Sequence, residues 1–186
     1  MAVKEVLRDA DQKMRAAASV TQEELSSIRT GRANPKLIDR LTVEYYGSPV
    51  PLNQLASFSV PESRMLVIQP FDRTAMGSIE KAIMSSDLGL TPSNDGNVIR
   101  LAFPALTEER RRDLVKVAHQ RAEDGRVAVR NVRRHAKETM ERLEKDHDIS
   151  EDDLRRSEKE LQRLTDQYVV EIDKILARKE EELGEV

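Results

Sequence analysis

Residues 107–147 read TEERRRDLVKVAHQRAEDGRVAVRNVRRHAKETMERLEKDH, without a proline. Apolar or small residues recur at three- and four-residue steps, at Leu114, Val117, Ala118, Ala122, Gly125, Ala128, Val132, Ala136, Met140 and Leu143. That period marks one face of an α-helix. Thr107 suits the N-cap, and Glu108 and Glu109 suit the positive end of the helix dipole. At 1.5 Å per residue such a helix is a rod of roughly 60 Å. A rod with one narrow apolar stripe is not stable alone in water, so this stretch calls for partners of similar length.

Two such partners flank it. His147-Asp148 breaks the pattern, after which Ser150 with Asp153 resembles a capping box and Ile149 with Leu154 is spaced as a hydrophobic staple. A further helix then buries Leu154, Leu161, Leu164, Tyr168, Ile172, Ile175 and Leu176. At the other end of the chain, residues 2–29 carry Val3, Leu7, Ala10, Met14, Ala17, Thr21, Leu25 and Ile28 on one helical seam. Thr30-Gly31 stops that helix, with Pro35 just beyond.

The texture between the first helix and the 107–147 stretch is different. All three Phe residues lie between Leu37 and Phe103, together with Pro49, Pro51, Pro61, Pro70 and Pro92, while Pro35 and Pro104 bracket the segment. Leu41–Tyr45 alternates like a strand and Gly47-Ser48-Pro49 makes a turn. Phe58–Val60 and Met65–Ile68 read as strands, residues 74–86 as a short helix, Asn94–Asn97 as a turn, and Val98–Leu101 as a strand. The expected fold class is α+β, a long antiparallel three-helix bundle (residues 1–30 and 105–186) with an inserted small β/α/β domain (31–104). The chain crosses into and out of the insertion at Gly31–Pro35 and Phe103–Leu106, and two short crossings can act as a hinge.

Composition narrows the function. The charged fraction is 35% and the aromatic fraction 3%, with no Trp, a balance typical of long-helix proteins. Burial must come from aliphatic side chains, at about 1.5–3 kcal/mol each when fully buried, which suits narrow seams better than a deep pocket. No cysteine is present, so disulfides, thiolate metal sites and a cysteine nucleophile are excluded. No apolar run nears the ~20 residues needed to cross a bilayer, and the polar start Met1–Val6 is not a signal peptide. A cytoplasmic protein is expected. His119, His135 and His147 have no metal spacing, and no phosphate-loop or nucleophile motif occurs. The chain offers no catalytic constellation, so the expectation is a binding protein without a cofactor or metal, and not an enzyme.

The net charge of −3 conceals an asymmetry, with +3 over residues 105–147 and −6 over 148–186. On the 107–147 helix, Arg112, Lys116, His119, Glu123, Arg126, Arg130, Arg133 and Lys137 follow alternating steps of four and three, so they share one face, with Arg134 beside it. Two readings of that row stand. It can be a solvated face, partly paired with the acidic last helix, or it can be a docking surface for RNA phosphates, which arginine forks grip while counterions are released.

Several strings resemble the ribosome recycling factor family: Ser27–Ala33, Val43–Gly47, Glu80–Ile83, Ser86–Leu90, Leu106–Arg111 and Val129–Arg134. They run end to end in the family's order. The resemblance implies an L-shaped molecule whose bundle contacts large-subunit ribosomal RNA. It also implies joint action with elongation factor G, which supplies the GTP hydrolysis, to split the post-termination ribosome and release mRNA and tRNA. The family's critical helix arginine falls on Arg133, within a cluster with Arg130 and Arg134. With the row above, the expected RNA-binding set is Arg112, Lys116, Arg126, Arg130, Arg133, Arg134 and Lys137. Arg29 and Arg32 match the family's hinge arginines, so the expected hinge comprises Arg29, Thr30, Gly31, Arg32, Phe103, Pro104 and Ala105. His135 departs from relatives, which often carry an acidic residue there, and adds no negative charge to the basic face. A monomer with no membrane partner is expected. The rivals are a coiled-coil scaffold, which would self-associate or bind clients without salt sensitivity, and an enzyme lacking any known motif.

Overall fold

The structure is a computed structural model describing residues 2–184. Met1, Glu185 and Val186, which the sequence reading assigns to the bundle, lie outside the described residues. The chain divides into two compact units, one holding the chain up to Ile28 and again from Arg112, the other running Arg29–Arg111.

The first unit is built from α1 (Val3–Ser26), most of α3 (Glu108–Lys145) and α4 (Glu151–Gly184). Thr107 caps α3, its Oγ1 accepting from Arg110 N at 3.1 Å. Helix α3 ends in a Schellman turn: Asp148 N donates to Leu143 O, His147 N donates to Glu144 O, and His147 sits at φ +60°. Helix α4 then opens on a capping box, Asp153 N to Ser150 Oγ at 3.0 Å and Ser150 N to Asp153 Oδ2 at 3.3 Å. The short link makes α3 and α4 antiparallel neighbours. Helix α1 also runs antiparallel to α3, because Val6 and Ala10 face Val132 and Ala136 across one cleft while Thr21 meets Gly125. Tyr168 of α4 joins α1, donating to Asp11 and accepting from Arg15.

The buried seams follow the expected period with shifts of phase. On α4, Leu161, Leu164, Tyr168, Ile172, Ile175 and Leu176 are buried as read, while Leu154 is only half-buried. On α1 the seam takes Val6 and Ala18 where Val3, Leu7 and Ala17 were expected, and those three are half-buried. On α3, Val129 is buried, Ala128 and Val132 are half-buried, and Val117 is 39% exposed. Small residues surround α3 here on more than one side, so the neighbouring helices, and not the residue types, select which ones are covered. The crossing is closest at Gly125, where an added Cβ would lie 3.2 Å from both Cβ and Cγ2 of Thr21 and closer still to its Oγ1.

The second unit contains a hairpin, β1 (Thr42–Tyr45) with β2 (Ser48–Pro51), and a four-stranded antiparallel sheet. The sheet comprises β3 (Ala56–Glu62), β4 (Met65–Pro70), β5 (Pro92–Asn94) and β6 (Ile99–Ala102), in the order β3-β4-β6-β5. Helix α2 (Met76–Met84) links β4 to β5 and buries Met76, Ile79 and Ile83. Alternation puts Leu66 and Ile68 of β4 and Ile99 and Leu101 of β6 into one core with α2, Val43, Leu52 and Phe103.

Two strands escaped the sequence reading. The Gly47-Ser48-Pro49 turn is in fact a Tyr46-Gly47 turn, both residues at positive φ (48° and 78°) as a two-residue hairpin requires, and Ser48–Pro51 is strand β2. Its prolines fit because the register pairs Pro49 with Glu44 and Pro51 with Thr42. Counted from the turn-closing pair Tyr45–Ser48, these are the positions whose nitrogen points away from the ladder. Strand β5 likewise starts on a proline at the sheet's edge.

Candidate nucleic-acid interface

The basic row lies along α3, away from the seam of Leu114, Ala118, Ala122, Gly125 and Val129. Its members do not share one electrostatic state. Arg126 is turned inward, its side chain 18% exposed, with Nε donating to Asp173 Oδ1 of α4 at 2.8 Å and Nη1 donating to Glu123 at 3.0 Å. Burial opposes its charge, but the bonds to Asp173 and Glu123 outweigh it and raise its pKa. Glu123 also accepts from Arg130 Nη1 at 3.1 Å, and these two arginines hold its carboxyl below the usual range. His119 contacts Glu180 of α4. The middle of the row therefore serves partly as an internal brace between α3 and α4.

The ends differ. Lys116 and Arg112 are exposed near the start of α3. Toward its other end, Arg133 is half-buried and Arg134 exposed, and neither side chain has a hydrogen bond or ion pair among the described residues. Lys137 is exposed, with Glu141 at a distant 3.9 Å. Positive charge without a partner among the described residues concentrates in Arg133 and Arg134, with Lys137 loosely paired to Glu141 and Arg130 sharing Glu123 beside them. Partial pairing with the acidic last helix is one of the two readings of the row, but which members pair is not legible, because the decisive acids Asp173 and Glu180 lie far along the chain. Arg133 and Lys137 also edge a cleft of about 160 Å³ whose other wall is Glu158, Leu161 and Gln162 of α4. The sequence reading named none of those α4 residues as functional, since nothing in their local pattern distinguishes them.

The residues expected to form a hinge lie in the second unit. Gly31 takes φ +82°, a conformation side chains other than glycine's rarely adopt, and Leu106 Cγ lies 3.5 Å from where its Cβ would be. The Arg29 guanidinium stands 5.9 Å from the centre of the buried Phe103 ring, and its Nη1 donates to Leu88 O at 3.5 Å. Backbone bonds fasten both crossings: Ala33 N to Ser63 O and Phe103 N to Arg64 O, each 2.8 Å. Thr30 is buried, while Arg32, Pro104 and Ala105 are exposed. Among the described residues no cluster of His, Cys, Asp and Glu could hold a metal ion, and no helix is long and apolar enough to cross a membrane.

Comparison with known proteins gives one answer throughout. The family model described as ribosome recycling factor matches residues 21–183. The ribosome-recycling factor of Bacillus subtilis (strain 168) is 58% identical over 183 residues, covering 98% of this chain and 99% of that protein. That of Acidothermus cellulolyticus is 55% identical, covering 99% of this chain and all of its relative. Among solved structures, a solution structure of the ribosome recycling factor superposes with a TM-score of 0.82 at 45% identity, covering 100% of this chain and 99% of the other. A second, of the T. thermophilus ribosome recycling factor with E. coli elongation factor G on the E. coli post-termination complex, gives 0.71 at 46% identity over 98% of this chain and 99% of that one.

Proposed function

Because the chain belongs to the ribosome recycling factor family, we propose that it acts with elongation factor G to disassemble the post-termination ribosome into subunits, releasing mRNA and tRNA. It is a translation factor and not an enzyme, and the partner hydrolyses the GTP. In this reading the three-helix unit docks as a monomer on large-subunit RNA in the cytoplasm, and the second unit receives the partner's push through the two crossings at 29–32 and 103–105. The observation that carries the docking surface is the run of Arg133, Arg134 and Lys137, in which the two arginines have no partner among the described residues and the lysine only a long ion pair to Glu141. Arg112, Lys116 and Arg130 extend it. Arg126 belongs to the same row but contributes by keeping α3 against α4.

Cosedimentation with large ribosomal subunits across a salt series tests this reading. If about four phosphates are neutralised, the logarithm of affinity falls with the logarithm of salt at a slope of about −3. Arg133→Glu abolishes binding with helix content unchanged. Arg126→Ala lowers the melting temperature while leaving the slope nearly intact. Undiminished binding by Arg133→Glu would sink the assignment.

A further inference from the structure

The cleft beside Arg133 has a property that phosphate docking does not require. Its walls carry a half-buried arginine, Arg133 of α3, and a half-buried carboxylate, Glu158 of α4. Neither side chain has a hydrogen bond or ion pair among the described residues, with each other or with anything else. Lys137 adds donors on the α3 side. On the α4 side Gln162 uses its amide nitrogen on Asp166, at 2.8 Å, leaving its carbonyl oxygen available. The floor is Leu161, 2% exposed and apolar. Opposite charges that are partly desolvated, close enough to share a cleft of about 160 Å³ and yet apart, suit a flat ligand offering acceptors to one wall and donors to the other.

A phosphate fails that requirement, since Glu158 would repel it. A nucleobase meets it, and guanine best. Its O6 and N7 are the acceptors an arginine fork takes, while N1–H and the N2 amine lie side by side as donors for a carboxylate. Bases splayed out of RNA loops are commonly read on these edges. We infer that the Arg133–Lys137–Glu158–Gln162 cleft receives one unstacked guanine of the RNA, so that Arg134 and the rest of the row supply affinity and the cleft supplies selection. This inference rests on the RNA-docking reading of the basic face.

The sign of one substitution separates the cleft from simple electrostatics. Removing a negative charge from an RNA-facing surface strengthens binding if Glu158 is only a repulsive neighbour. If Glu158 accepts from a guanine, Glu158→Gln weakens binding to large subunits about tenfold, equivalent to one good base contact, with the salt slope unchanged. Glu158→Lys weakens it further despite the added positive charge. In the full-length protein, GMP shifts the Gln162 side-chain amide resonance, while AMP, CMP, UMP and inorganic phosphate leave it in place, and Glu158→Gln abolishes the GMP response. Tighter or unchanged subunit binding by Glu158→Gln overturns the inference, as do equal shifts with all four nucleotides or none with GMP. If Arg133→Glu binds subunits normally, the docking reading itself has failed. If Arg133→Glu fails to bind and Glu158→Gln is neutral, only the guanine assignment falls.

Discussion

Gly125→Ala is the substitution whose outcome the helix crossing decides most sharply. In the interior of α3, replacing glycine by alanine gains about 1 kcal/mol of helix propensity. The new methyl, however, would stand 3.2 Å from Thr21 Cβ and Cγ2 and inside van der Waals contact with Thr21 Oγ1. Thr21 is 2% exposed, its hydroxyl donates to Ala17 O at 2.9 Å, and a β-branched side chain on a helix has little freedom to turn away. Overpacking of this kind costs about 1–3 kcal/mol, and with backbone-anchored atoms as the obstacle the upper part of that range applies. The net expectation is a loss of about 1–2 kcal/mol, read as a lower urea midpoint with unchanged slope by far-UV circular dichroism. Thr21→Ala alone costs about 1 kcal/mol for its lost methyl group. In that background Oγ1 and Cγ2 are gone, and Gly125→Ala becomes neutral or stabilising, so the double-mutant cycle shows about 2 kcal/mol of coupling. A stabilising Gly125→Ala in the parent protein, or an equal loss in both backgrounds, would refute the assigned close approach.

Two further outcomes follow from local geometry. His147→Gly relieves a left-handed residue at the end of α3 and raises stability by about 1 kcal/mol, measurable as a higher melting temperature. Asp95 accepts from the backbone N–H groups of Val98 and Asn97 and from Arg100, which lower its pKa to about 2. Its stabilising effect is therefore complete above the usual aspartate range and disappears as pH falls through about 2. An NMR titration of its carboxyl with a midpoint near 4 would contradict this, and Asp95→Asn flattens the acid limb of the unfolding curve.

Large aliphatic residues at helical spacing were readable directly. Leu161, Leu164, Tyr168, Ile172, Ile175 and Leu176 leave only one face of α4 that can be buried. The capping box at Ser150 and Asp153 was equally plain, because its reciprocal bonds are local. Val117 and Val129 show how residue type can mislead where spacing does not: Val129 follows Gly125 by four residues and lies on the buried seam, whereas Val117 is about 120° round the helix from it and is exposed. Strands β2 and β5 were hidden for another reason. Ser48-Pro49-Val50-Pro51 and Pro92-Ser93-Asn94 have turn-like composition, and they are strands because an edge needs only half its ladder. The basic row was legible as a row, whereas its division into brace and docking end depends on Asp173 and Glu180, which folding alone brings to α3.

Those prolines have a consequence for the protein in a crowded solution. A strand edge with free donors invites a strand from another molecule, which begins aggregation. Pro49 and Pro51 direct ring carbons outward where β2 would otherwise present N–H groups. Strand β3 carries Pro61 at a register shift between Ser59 and Glu62, and β5 opens on Pro92. Strands β2, β3 and β5 are thus poor templates for strand addition. Three of the four outer strands in the two small sheets are thereby guarded against pairing edge to edge with another copy.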